Sequence, residues 1–199
     1  MEVTTAPILD ICILLFDNVE VLDFAGPFEV FSVTEELSGP LFNLKTCSFN
    51  GNSVVAKNGL SVNPDCAITE LERTDILIIP GGDGTRGVLK NNKLLKEIAR
   101  LAQTSQYNLS VCTGALVLAK LGLLKNRQAT THHLAFELLE KIEPSCQVLK
   151  GSRFIDTGDI MTSGGISAGI DMSLYVVEKL TSREIRKTTE RYMEYQTAQ

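Results

Sequence analysis

Nowhere do the 199 residues contain the run of about eighteen apolar residues that a membrane-spanning helix requires. The opening Met1-Glu2-Val3-Thr4-Thr5 lacks the basic region and apolar stretch of a signal peptide, so the chain is expected to be cytoplasmic. A basic excess is missing as well. With 19 Lys and Arg against 24 Asp and Glu the net charge is -5, which argues against a sequence-independent grip on nucleic acid. The five cysteines, Cys12, Cys47, Cys66, Cys112 and Cys146, are odd in number and contain no Cys-x-x-Cys pair. Neither a disulfide framework nor a zinc site is therefore expected. Gly-Lys-Ser/Thr is absent too, which excludes the usual P-loop fingerprint. No repeat, low-complexity segment or linker interrupts residues 1–199, which read as one domain.

What is present is a composition able to build a core, 44% hydrophobic and 22% charged, in which strand-like runs alternate with helix-like stretches. That alternation predicts an α/β domain with a mostly parallel sheet. Asp10 to Phe16 and Asp75 to Ile79 are continuous apolar runs suited to strands buried on both faces. Phe42 to Phe49 is read as a strand, and Ser53 to Val62 as a peripheral hairpin turning at Lys57-Asn58-Gly59. The segment Gly26 to Val33 is read as a helix with Pro27 in its first turn. Leu94, Leu95, Ile98 and Leu101 have helical spacing within Asn91 to Gln103. Further on, the expected elements are a strand Tyr107 to Val111, a helix Ala115 to Leu121 and a strand near Ala129. A helix His133 to Ile142 follows, then strands Cys146 to Leu149 and Arg153 to Thr162, and helices Ser167 to Leu180 and Ser182 to Tyr195.

Ser110-Val111-Cys112-Thr113-Gly114 places a cysteine where a buried strand passes into a helix, the setting of a nucleophile elbow. Ligands of open α/β sheets bind at the carboxyl ends of the strands. A helix N-terminus favours the thiolate, so Cys112 is the cysteine expected to have a lowered pKa. Gly114 and Ala115 would leave the backbone accessible, and the Thr113 amide could donate to a developing anion. A buried structural thiol fits the same local pattern. Pro80-Gly81-Gly82-Asp83-Gly84 follows the Ile76 strand; it is either a plain connection or a backbone able to approach a ligand and complete an oxyanion hole. Asp23, in the apolar stretch Val21 to Pro27, is either a helix cap or an acid at the same sheet edge.

With these residues in hand, the chain resembles the DJ-1/PfpI superfamily from about Ile11 to Leu180, and within it the isocyanide (isonitrile) hydratase group. Five blocks carry the resemblance in the same order: Leu22 to Pro27, Ile78 to Gly82, Ser110 to Ala115, Ala129 to His132, and Gly164 to Asp171. It implies a flavodoxin-like three-layer sandwich of the class I glutamine amidotransferase type, usually a homodimer, acting on a small molecule without metal or organic cofactor. Position by position, it implies Cys112 as nucleophile, Asp23 as its acidic partner and Thr113 as the residue that follows the nucleophile in the hydratases. Gly81, Gly82 and Gly114 fall in the blocks implied to bind the substrate or its oxyanion, and His132 and Ile166 are further candidates.

Two departures from other branches matter. DJ-1-like and PfpI-like relatives carry Glu where this chain has Asp23, and PfpI-like peptidases carry His where it has Thr113. A Cys-His dyad would therefore need His132 or His133, which otherwise serve as packing or capping residues. Ser163 stands where the hydratases are expected to have Gly and could narrow or polarise the pocket. The implied reaction is hydration of an isocyanide to an N-substituted formamide through a Cys112 thioimidate, with Asp23 relaying the proton. Two alternatives stand beside it: a non-catalytic ligand sensor related to AraC-type regulators, and a redox or carbonyl stress protein.

Overall fold

A computed structural model describes residues 7–196; the N-terminal pentapeptide read above lies outside them. In chain order the elements are β1 (Leu9–Leu14), α1 (Val21–Ser38), β2 (Phe42–Ser48), β3 (Val54–Val55), β4 (Ser61–Val62), β5 (Cys66–Ala67) and β6 (Ile76–Ile79). Next come α2 (Thr85–Val88), α3 (Asn92–Thr104), β7 (Tyr107–Val111), α4 (Gly114–Lys120), β8 (Gln128–Ala129) and α5 (Phe136–Ile142). The chain continues through β9 (Gln147–Val148), β10 (Phe154–Asp156), β11 (Ile160–Ser163), α6 (Ala168–Leu180) and α7 (Arg183–Tyr192).

Seven strands form one sheet in the order β10-β11-β7-β6-β1-β2-β5, parallel throughout except for the edge pair β10 and β11. The expected α/β sandwich with a mostly parallel sheet is thus present. Its central strands are the runs that the sequence marks as apolar on both faces: Ile11 to Leu14, Ile76 to Ile79, Leu109 and Val111 are all buried. Around the sheet, α1, α6 and α7 pack on one another, and α4 packs against α5 and α2. The apolar stripe of α3 is buried at Leu94, Leu95, Ile98, Leu101 and Ala102, and Asn91 caps it by accepting the Leu94 N–H at 3.1 Å.

Three expectations need correction. The first long helix begins at Val21, five residues before Gly26, so Pro27 lies inside it and not in its first turn. The earlier start brings Asp23 into the first turn, buried and not serving as the cap, which is Glu20. Gly26 then lets α1 approach α6 closely, since a Cβ there would come within 2.9 Å of Ile170 Cγ1.

The run Arg153 to Thr162 is two strands and not one. Gly158, at φ 99°, and the Asp156 carboxylate, which accepts the Gly158 N–H at 2.7 Å, fold it into the hairpin β10–β11. The segment His133 to Ile142 opens with a 3₁₀ turn, His133–Ala135, before α5. The hairpin β3–β4 is peripheral as expected, with Asn58 and Gly59 at positive φ, and the Lys57 N–H ties it to the Val19 carbonyl at 2.9 Å. That tie holds the hairpin beside the edge where β1, β6, β7 and β11 all end.

Candidate active site

Four chain segments meet at that edge, each leaving the carboxyl end of a parallel strand. Cys112 follows β7 directly and has φ +57°, a left-handed conformation uncommon for a residue with a Cβ and costing about 1–3 kcal/mol. The surrounding backbone holds it there. Its N–H is shared between the carbonyls of Ser163 at 3.2 Å and Gly164 at 3.1 Å, and its own carbonyl accepts the Thr131 hydroxyl at 2.7 Å. Gly81 presses against the other side; a Cβ on it would come within 2.5 Å of the Thr113 nitrogen and 2.9 Å of Cys112 Cβ. The elbow anticipated from Ser110 to Gly114 is therefore real as backbone geometry.

Asp23 reaches the elbow from α1 and is fully buried. Its two carboxylate oxygens accept backbone N–H groups from two other segments, Gly81 at 3.1 Å and Ile166 at 3.0 Å. Ile166 makes that contact from φ +59°, a strained value for a β-branched residue, and its side chain faces the cavity. Burial pushes the Asp23 carboxyl up to about 6, against the opposing pull of the Gly81 and Ile166 N–H groups and of its hydrogen bond with Cys112.

The same neighbourhood acts on the thiol in the opposite sense to the one expected. Burial, followed by the negative charge of Asp23, pushes Cys112 up to about 12, and the Thr113 N–H offsets only part of this. The helix N-terminus argument fails because it counted one favourable dipole and neither the desolvation nor the carboxylate. At neutral pH the resting pair is a thiol beside a carboxylate.

The glycines also do something other than anticipated. The Gly81 N–H is taken by Asp23 and the Gly82 N–H by the Thr113 hydroxyl at 2.9 Å, so neither is free to hold an oxyanion. Gly114 does not line the cavity; a Cβ on it would run into the Ile79 carbonyl, and both it and Ala115 are buried. These residues let the elbow pack against the end of β6. Thr113 also pairs with the Thr85 hydroxyl at 2.9 Å, which locks α2 to the elbow. Ser163 is fully buried, bonded to the carbonyls of Ser110 and Gly164, and does not reach the cavity.

His132 lines the cavity but no hydrogen bond joins it to Cys112 among the described residues. Gly165 sits between them; a Cβ on it would lie 3.3 Å from Cys112 Sγ and would collide with the His132 ring. His132 Nδ1 accepts the Leu134 N–H at 3.3 Å, the capping role open to it from sequence. Burial and the neighbouring His133 lower its pKa, so the ring is neutral at pH 7 with its proton on Nε2. His133 stacks on it at 4.3 Å between centroids and is not part of the cavity lining.

The cavity above Cys112 measures about 210 Å³. That is below the roughly 300–1,000 Å³ of pockets that take drug-sized ligands. One wall is apolar, made by Leu116, Leu134, Ala135, Leu138 and Ile166. Another part of the lining is charged and forms a rim: Lys57 pairs with Glu20 at 3.3 Å and with Asp83 at 3.8 Å, and Arg86 with Asp83 at 3.6 Å. Sequence reasoning missed this rim. Nothing near Lys57 in the chain marks it as part of a site; the peripheral hairpin delivers it.

A flavodoxin-like sandwich with a strained cysteine elbow and a buried carboxylate beside it defines the class of protein. Residues 10–179 match the DJ-1/PfpI family model, and the chain belongs to that family. It is 30% identical over 190 residues to isonitrile hydratase of Pseudomonas putida, covering 96% of this chain and 80% of that one. It is also 31% identical over 169 residues to the HTH-type transcriptional regulator CdhR of Pseudomonas aeruginosa, covering 84% of this chain and 49% of that one. This chain therefore spans about half the regulator's length. Among solved structures, a ThiJ/PfpI family protein from Pseudomonas syringae superposes with TM-score 0.86 at 24% identity, over 97% of this chain and 77% of that one.

Proposed function

We propose that the protein is a cysteine-dependent hydratase that converts small isocyanides to N-substituted formamides. The observation that carries this is the pairing of Cys112 with Asp23, whose carboxyl, at about 6, can take and return a proton near neutrality. In the first step the Cys112 sulfur bonds to the terminal isocyanide carbon while the thiol proton passes through Asp23 to that same carbon, giving a thioimidate. Water then adds to the thioimidate carbon, the C–S bond breaks, and the sulfur recovers a proton from Asp23 as the formamide leaves. Reactants and products balance as one isocyanide plus one water to one formamide, with no electron transfer. The apolar wall accepts the substituent on nitrogen, and the cavity volume restricts it to a small group. The likeness to isonitrile hydratase supports the same reaction.

The likeness to the HTH-type regulator favours a second reading, in which the cavity binds a ligand without turning it over. Incubation of the purified chain with a simple alkyl isocyanide, followed by carbon NMR, separates the two. Formamide in large excess over protein is the expected result. A yield that stops at one equivalent, with Cys112 modified, overturns the hydratase reading.

A further inference from the structure

Away from the elbow, three of the five cysteines fall on one face of three neighbouring parallel strands. In the register of the sheet Leu14, Cys47 and Cys66 stand side by side on β1, β2 and β5. Cys12 lies two residues before Leu14 and so shares its face of the sheet. The result is a row running Cys12, Cys47, Cys66 across the strands. Cys12 and Cys47 are buried at 1% and 0% exposure, and their sulfurs are 3.0 Å apart. That leaves about 1 Å to close to an S–S bond of roughly 2.05 Å. Cys66, at the edge of the sheet, is partly exposed and is the member of the row that solvent can reach.

We propose that this row is a peroxide-driven modification site, separate from Cys112, that ends as a reversible Cys12–Cys47 disulfide with Cys66 as its entry point. In the first step the Cys66 sulfur attacks a peroxide oxygen and the O–O bond breaks. Cys66 becomes a sulfenic acid, oxidised by two electrons, and one water leaves when the peroxide is hydrogen peroxide. The Cys47 sulfur then attacks Cys66 Sγ, expelling hydroxide that leaves as a second water with the Cys47 proton. Finally the Cys12 sulfur attacks Cys47 Sγ, and Cys66 departs and takes up the Cys12 proton. The sum is two thiols and one hydrogen peroxide giving one disulfide and two waters.

Sheet geometry explains why the bond settles between the inner pair. Cys12 and Cys47 are already in sulfur contact, whereas Cys66 Sγ is turned toward the Thr46 carbonyl at 3.9 Å. The neighbouring Cys12 thiol, and then burial, push the Cys47 thiol up, and burial does the same to Cys66. The row is consequently slow at neutral pH and quickens as pH rises.

The experiment uses the full chain with Cys112→Ala, reduced and then treated with a small molar excess of hydrogen peroxide, quenched by alkylation and mapped without reduction. The expected product carries a peptide crosslink between Cys12 and Cys47, about 2 Da lighter than the sum of the two unmodified peptides, and reverts with dithiothreitol. Adding Cys66→Ala is expected to slow formation of the crosslink by at least about tenfold without changing the circular dichroism spectrum. Cys12 and Cys47 remaining fully alkylatable after unfolding, with oxidation confined to sulfinic or sulfonic acid at Cys66, would overturn the proposal. An unchanged crosslinking rate in the Cys66→Ala chain removes the entry role.

Discussion

Cys112 and Cys47 are both buried thiols, and in both burial contributes to raising the pKa, yet their surroundings differ in every other respect. Cys47 sits in regular strand backbone with another thiol as its close neighbour. Cys112 sits in left-handed backbone, clamped by Ser163, Gly164 and Thr131, with a carboxylate beside it and a cavity above. Exposure therefore says little about which thiol does chemistry. The neighbours decide, and they divide the thiols into one suited to adding to a small electrophile and one suited to bonding to its own neighbour.

The sharpest way to break this comparison is to delete each sulfur. Cys112→Ala is expected to lower isocyanide turnover by at least about 10⁴-fold, the scale seen when a nucleophile is removed, while Cys47→Ala retains turnover. Formamide production by the two variants, measured side by side, checks it; comparable losses would erase the distinction.

Removing the neighbour comes next. Asp23→Asn is expected to lower turnover by roughly 10²–10⁴, since the amide cannot relay a proton. It is not a silent replacement for the fold. Both carboxylate oxygens accept backbone N–H groups, so an amide NH₂ leaves either Gly81 or Ile166 facing a donor, at a cost of about 1–3 kcal/mol. Urea titration of the variant measures that cost independently of activity.

The pH dependence sharpens the comparison. A thiol held at about 12 offers little thiolate at neutral pH, so alkylation of Cys112 by iodoacetamide is expected to rise about tenfold per pH unit with no plateau below pH 10. A plateau near pH 7 would restore the helix-dipole argument. Asp23 also links pH to stability. Its folded value of about 6 lies above its unfolded 3.8, so the folded state holds the extra proton between those values. Stability is then greatest below about pH 4 on account of this group and falls as pH rises through 6, by about 3 kcal/mol. Comparing the pH dependence of unfolding in the parent and Asp23→Asn chains isolates that contribution.

The smallest expected effect is on the clamp. Thr131→Val removes the hydroxyl that donates to the Cys112 carbonyl and is expected to cost about 1–2 kcal/mol of stability. A loss of turnover larger than the loss of stability would show that the elbow's conformation is itself needed for the reaction.

Much of the site was legible because its pieces are local. The strand Tyr107 to Val111 ends at its expected residue, and Cys112 stands at the turn into a helix, since a short buried run followed by Cys-Thr-Gly has few other foldings. Asp23, Thr113 and Ile166 also come together with Cys112, as the order of the motif blocks implied. Pro27 suits a first turn, which points to a start near Gly26, but α1 runs from Val21 through Pro27 while Gly26 lies close against Ile170. The single strand expected over Arg153 to Thr162 splits at Gly158, where one left-handed residue outweighs an otherwise extended pattern.

The pairing of Asp23 with Cys112 was implied by the family resemblance, whereas the sequence pattern by itself determined the kinds and order of the central elements and the sheet edge at which the cysteine lies. Those follow from apolar periodicity and from turn residues, which act over a few positions. Tertiary structure alone decided that the Gly81 and Gly82 N–H groups are already bonded, that Lys57 reaches the rim, and that Cys12, Cys47 and Cys66 form a row. It also reversed the direction of the Cys112 shift. Proton affinity and hydrogen-bond satisfaction depend on burial and on every group brought near through space, and neither is written in the spacing of residues along a chain.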